Sequence, residues 1–135
     1  MHYFRLISVL SLGAAMTGCG TDPLVLCSDQ LVALTAAVVN DTGQPLTGLS
    51  VTDTVLRTGA VLEVTADSPP SNLPAVGLPA TMIFSDEFRE AIHATGDEVV
   101  VVVSAEGHSG SGRYQFGSDG CHVQKLAGPD TLVVS

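Results

Sequence analysis

Tryptophan is absent from the 135 residues, and phenylalanine and tyrosine together make up only 4%. A chain so poor in aromatics offers no stacking platform for sugars or single-stranded nucleic acid, and its core has to be built mainly of Val, Leu and Ala. Positive charge is scarce too: 5 Lys and Arg stand against 14 Asp and Glu, a formal net charge of −9. That balance excludes the basic footprint of a nucleic-acid binder and the polybasic contact of a protein held on anionic lipid. Only 14% of the residues are charged while 45% are hydrophobic, which excludes a disordered tail. The apolar run Leu6–Met16 is eleven residues long. As a helix it would span about 16 Å, roughly half the ~30 Å hydrocarbon core, which argues against a transmembrane anchor. No CxxC or HExxH occurs to raise a metal site. What is left is the size of one domain.

Residues 1–18 read as an address rather than as structure. Met1–Arg5 carries one fixed positive charge, the apolar run follows, and Thr17 and Gly18 supply small residues before Cys19. Met16-Thr17-Gly18-Cys19 resembles the lipobox of bacterial lipoproteins. The resemblance implies cleavage before Cys19, lipidation of its sulfur and anchoring to a bilayer, where each buried CH₂ contributes ~0.8 kcal/mol. Gly20 stands where that family's inner-membrane retention signal is an aspartate, which implies the outer membrane in a cell that has one. An ordinary secretory signal that happens to contain a cysteine is the other reading. Residues 19–27 then form a lipidated N-terminus and short linker, at most ~28 Å long when extended, so the domain hangs close to the membrane.

Three cysteines are an odd count for an exported chain. With Cys19 lipidated, Cys27 and Cys121 remain, and an oxidising compartment makes them natural disulfide partners. Two buried free thiols or a metal pair are the alternatives.

Downstream the pattern is β-structure, broken once. Leu31–Asn40 alternates loosely and runs into the turn formers Asp41-Thr42-Gly43-Gln44-Pro45, and Leu49–Leu56 alternates more cleanly, so the two are expected to form a hairpin. Ala60–Ala66 is a third strand. Pro69, Pro70, Pro74 and Pro79 exclude Ser68–Pro79 from a sheet interior. Ser85–Thr95 is expected to be a helix, with Ser85 as N-cap, Asp86 and Glu87 in the first turn and Gly96 as its stop. Glu98–Ala105 contains five consecutive valines and is expected to be a strand buried on both faces, or nearly so. Glu106-Gly107-His108 is a turn, and Arg113–Phe116, His122–Leu126 and Thr131–Val134 are the remaining strands. The fold class is mainly β, a single small Ig-like or prealbumin-like β-sandwich with one short helix inserted before the valine-rich strand.

Asp41-Thr42-Gly43-Gln44-Pro45-Leu46-Thr47-Gly48-Leu49-Ser50-Val51 resembles the D-x-G-x-P-x-x-G-x-x-V hairpin of carboxypeptidase regulatory-like domains. Val101–His108 resembles their later V-x-V-x-A-x-G-[YH] strand and turn, and Gly120-Cys121-His122-Val123 a form seen in bacterial lipoproteins with such domains. The resemblance spans residues 28–135 and implies a non-catalytic interaction or structural module. Related transthyretin-like hydrolases use a C-terminal Tyr-Arg-Gly-Ser tail, whereas this chain ends Leu132-Val133-Val134-Ser135, so their site does not carry over.

Four groups of residues are candidates for chemistry. His93 sits late on the expected helix, where an imidazolium is favourable in any case. His108 and His122 would have to meet across adjacent strands to hold a metal. Ser109 and Ser111 lie in Gly107–Gly112, which is expected to be a flexible hairpin rather than a nucleophile elbow. Asp41, Asp53, Asp97, Glu98, Asp119 and Asp130 lie near turns and would have to collect at one end of the sandwich to bind Ca²⁺, without the D-x-D-x-D spacing of a calcium loop. The expected function is a non-catalytic, lipid-anchored module of the cell envelope. Its partners would be the bilayer through acylated Cys19 and an envelope protein, with no cofactor and no nucleic acid. A ligand- or Ca²⁺-binding lipoprotein that uses the Pro-rich stretch and the helix as a pocket wall is the alternative.

Overall fold

The computed structural model describes residues 27–65 and 80–135. The signal region, the lipidation candidate Cys19, most of the linker and the Pro-rich Ser68–Pro79 stretch lie outside them. Among the described residues eight strands form two sheets: β1 (Ala33–Asn40), β2 (Ser50–Val55), β3 (Ala60–Val64), β4 (Ala80–Ser85), β5 (Asp97–Ala105), β6 (His108–Ser118), β7 (Val123–Ala127) and β8 (Thr131–Val134). One sheet has the order β4-β1-β8 and the other β3-β2-β5-β6-β7. Between their inner faces lies a single core, so the chain is a small β-sandwich, as its patterning predicts.

The five-stranded sheet owes its stability to alternation. Val99, Val101 and Val103 on β5 are fully buried, whereas Val100 and Val102 point outward and are only half-covered. The valine run is therefore buried on one face, not both, because nothing among the described residues covers the outer side of this sheet. β2 lies antiparallel to β5 and sets Val51 opposite Val103 and Val55 opposite Val99. The three-stranded sheet contributes Ala36, Val38, Ile83, Phe84, Leu132 and Val134. Phe84 lies 4.7 Å from Phe116 and 5.8 Å from Phe88 between ring centroids, and Tyr114 stacks on Phe116 at 5.3 Å. All four aromatics beyond residue 18 are thus spent on one cluster, and none forms a binding platform.

Two expected elements turn out differently, and one strand forms where none is expected. β1 and β2 are not a hairpin: the Asp41–Pro45 turn carries the chain from one sheet to the other. Asn40 Oδ1 accepts from the backbone N–H groups of Thr42 and Gln44, which closes the turn locally and frees β2 to pair with β5. β4 falls in a stretch that shows no alternation, yet it pairs antiparallel with β1. The helix shrinks to a 3₁₀ helix at Asp86–Ala91, with no side-chain cap from Ser85, whose hydroxyl is buried and unpartnered among the described residues. Ile92 is already extended, long before Gly96.

The glycine-rich Gly107–Gly112 segment is not a flexible hairpin but the start of the longest strand. Glu106 (φ 45°) and Gly107 (φ 88°) alone make the tight turn, and Ala105 pairs with His108 directly beyond it. Gly110 and Gly112 face inward, where the end of the chain crosses β6. Ser109 and Ser135 exchange backbone hydrogen bonds at 3.3 and 3.4 Å. A Cβ on Gly110 would overlap the Val133 backbone carbonyl, and one on Gly112 would sit against the Leu132 side chain. Gly110→Ala should therefore force β8 off the sandwich and lower stability by about 3 kcal/mol, read as a lower urea midpoint. Ala at Gly43, which has open space around it, should cost only the strain of its positive φ.

Candidate functional site

At the end of the sandwich where β6 turns into β7, three segments distant in sequence meet. They are the stretch from Cys27 to Val32 that leads into β1, the first residue of the 3₁₀ helix, and the loop Asp119–His122. Cys27 and Cys121 are joined by a disulfide with Cα atoms 5.1 Å apart, so the pairing expected from the cysteine count is the one present. The bridge holds the N-terminal segment against the loop. The loop is shaped by Asp119, whose Oδ1 accepts from the backbone N–H groups of Cys121 (2.8 Å) and His122 (2.7 Å). Those two bonds hold the Asp119 carboxyl below the usual carboxylate range. Arg89 Nη1 donates to the Cys121 carbonyl at 2.7 Å, tying the loop to the 3₁₀ helix.

Asp86 lies at the centre. Its Oδ1 accepts from Val123 N–H at 2.7 Å, and its Oδ2 from Val32 N–H at 2.8 Å. Its own N–H donates to the Val32 carbonyl, so β1's lead-in and the helix start are joined reciprocally. Burial alone would raise the Asp86 pKa, but the hydrogen bonds from His122, Val32 and Val123 outweigh it and hold the carboxyl below its ordinary value. An ionised carboxylate has no proton to give, so in the 2.8 Å contact His122 Nδ1–H is the donor. In the neutral ring that leaves Nε2 as an acceptor, and the hydroxyl of Ser28 lies 2.8 Å from it. Ser28 is exposed, while the His122 and Asp86 side chains are largely covered. Hydroxyl, imidazole and carboxylate therefore stand in one hydrogen-bonded line.

The other candidates disperse. His108 opens β6 and His122 lies in the loop beyond its far end, so the strand's length, about 33 Å, stands between them and they share no metal. His93 is exposed beyond the 3₁₀ helix, not on its last turn. Ser109 and Ser111 are exposed strand residues on the outward side of β6. The acids do not collect: Asp41 is exposed in its turn, Glu98 pairs with Arg113, and Asp130 with Lys125. Asp53 is not near a turn at all but in the core. Among the described residues no group of three or more His, Cys, Asp and Glu side chains is placed to hold a metal ion.

Asp97 is 7% exposed and receives Arg57 Nε at 2.8 Å, Arg57 Nη2 at 2.8 Å and the His93 backbone N–H at 2.9 Å. The Arg57 guanidinium, aided by that backbone bond, outweighs burial and holds the Asp97 carboxyl below its usual range. A depressed folded-state pKa contributes stability that is present above the unfolded value and lost as pH falls through the folded one. Asp97→Asn should thus melt about 5 °C below the wild-type chain at neutral pH. The gap should close in acid below the carboxylate range, and thermal scans at the two pH values check it.

No family model, no curated protein and no solved structure matches the chain. Asp86 and Ser28 are the two members of the site that sequence reasoning did not single out. His122 was visible as a candidate, but its partners lie 36 and 94 residues away and carry no local signal.

Proposed function

We propose that this protein is a lipid-anchored β-sandwich of the bacterial cell envelope, acting as an interaction or structural module close to the membrane. The observation that carries the reading is the Cys27–Cys121 disulfide. It accounts for two of three cysteines, fits an oxidising compartment, and leaves Cys19 in Met16-Thr17-Gly18-Cys19 as the unpaired one for acylation. The bridge also gives the tether a mechanical logic. A pull on the anchor reaches the domain first at Cys27, where the covalent link passes it to the β6–β7 loop before any strand of the smaller sheet is loaded. The resemblance of residues 28–135 to carboxypeptidase regulatory-like domains agrees with a module of this kind, and an envelope protein is its proposed partner.

The test is fractionation of cells that express the full chain. The wild-type protein should be found in the membrane fraction, and Cys19→Ala should leave it there only as unprocessed precursor or release it. A Cys19→Ala chain that is still cleaved and still membrane-bound contradicts the reading.

A further inference from the structure

We propose that Ser28, His122 and Asp86 form an activated-serine centre that accepts acyl groups from carboxylic esters presented at the surface. This goes beyond the module reading and departs from the sequence expectation that the chain has no catalytic residue. It rests on the 2.8 Å contacts on either side of one imidazole, with the serine on Nε2 and the carboxylate on Nδ1. That order is what nucleophile activation requires: the carboxylate fixes the tautomer, and the free nitrogen takes the hydroxyl proton. The array is held from every side. Asp86 is fixed by two backbone N–H groups, His122 by Asp119 through its backbone, and Ser28 by the disulfide at its neighbour Cys27.

In the step, Ser28 Oγ bonds to the ester carbonyl carbon as its proton passes to His122 Nε2. The carbon–oxygen bond to the alcohol breaks, and the alcohol leaves with that proton. Water then attacks the acyl-serine by the same route, releasing the carboxylic acid and restoring the hydroxyl. Ser28 is exposed, so the ester is met on an open surface, and the net charge of −9 disfavours anionic esters against neutral ones. Ser28 and His122 are the catalytic residues, and Asp86 is a positioning residue.

The test treats the oxidised full chain with a neutral fluorophosphonate, which forms an oxygen–phosphorus bond and releases fluoride, and locates the adduct by peptide mass spectrometry. One adduct at Ser28 is expected, absent in Ser28→Ala and formed at least ~100-fold more slowly in His122→Gln. No adduct at Ser28 in the folded wild-type chain overturns the proposal without recourse to any variant. So does an adduct whose rate His122→Gln leaves unchanged while the bridge and melting curve are intact. For Asp86 the readout is the ¹⁵N spectrum of neutral His122: the proton should sit on Nδ1 in the wild-type chain and shift toward Nε2 in Asp86→Asn. An unshifted tautomer removes Asp86 from the centre.

Discussion

An Asp53→Asn variant should hold its stability level between about pH 5 and pH 8, whereas the wild-type chain should lose on the order of 4 kcal/mol over the same range. Asp53 lies on β2 between Val51 and Val55, faces the core, and is completely buried. Neither of its carboxyl oxygens has a partner among the described residues. In the strand register it stands opposite Val101 and Leu62, so it sits in a row of hydrocarbon. Burial without a countercharge pushes its pKa up from 3.8 to about 8. The sign follows from proton counting. Below the unfolded value of about 4 both states hold the proton and the residue is silent. From there to about 8 the folded state keeps a proton that the unfolded state gives up, so stability falls as pH rises; above that the loss levels off.

Asp53→Val would complete the inward valine row of β2 and should stabilise the fold at every pH, since it also removes two unpaired polar atoms. Equilibrium urea unfolding of the wild-type chain and both variants across the pH range checks this. Tyr114 lies deep in the same core, and its hydroxyl is also unpartnered among the described residues. Burial first, then the charges of Asp130 and Asp53, push its pKa to about 12, so it stays neutral across the range tested. The acid limb belongs to Asp86 and Asp97, whose depressed pKa values give the opposite slope. Stability should therefore peak in mild acid.

Removing the bridge with the double substitution Cys27→Ala and Cys121→Ala should cost about 4–5 kcal/mol, the loop-closure entropy of a bond across 94 residues. The effect should also be local. Without Cys27 at Cys121, the Ser28–His122 contact has no covalent support, and the stretch before β1 should peel from the loop. Amide exchange at Val32, whose N–H donates to Asp86, should speed up more than exchange at core positions such as Val101. Equal acceleration at both would mean that the bridge stabilises the whole domain without clasping this end.

How far the sequence could be read depended on how local each signal was. β5, β3 and β8 were legible because alternating or valine-rich runs ended at Gly, Pro or Asp. β4 was not, because Met82-Ile83-Phe84 follows a proline-rich stretch and shows no period of its own. The expected β1–β2 hairpin does not form, because the turn chemistry at Asp41–Pro45 is real but says nothing about which sheet receives the next strand. The helix was overextended for a related reason: Ser85-Asp86-Glu87 is a helix start, yet the Asp86 carboxylate is engaged by Val32, Val123 and His122 and not by the helix's own N–H groups. Asp53 was legible in principle, since the alternation that placed Val51 and Val55 inward places it inward as well. Composition drew it toward the turn acids instead. The site itself joins residues 28, 86 and 122, and only the folded register of two sheets and a disulfide brings them together.

Intact mass spectrometry of the membrane fraction, with and without reductant, reads the lipid on Cys19 and the Cys27–Cys121 bridge in one experiment. The expected species is a chain of the 117 residues from Cys19 onward, carrying acyl chains on that cysteine and lighter by about two mass units before reduction. An unlipidated chain retaining residues 1–18, or two free thiols at Cys27 and Cys121 in protein isolated without reductant, would contradict it.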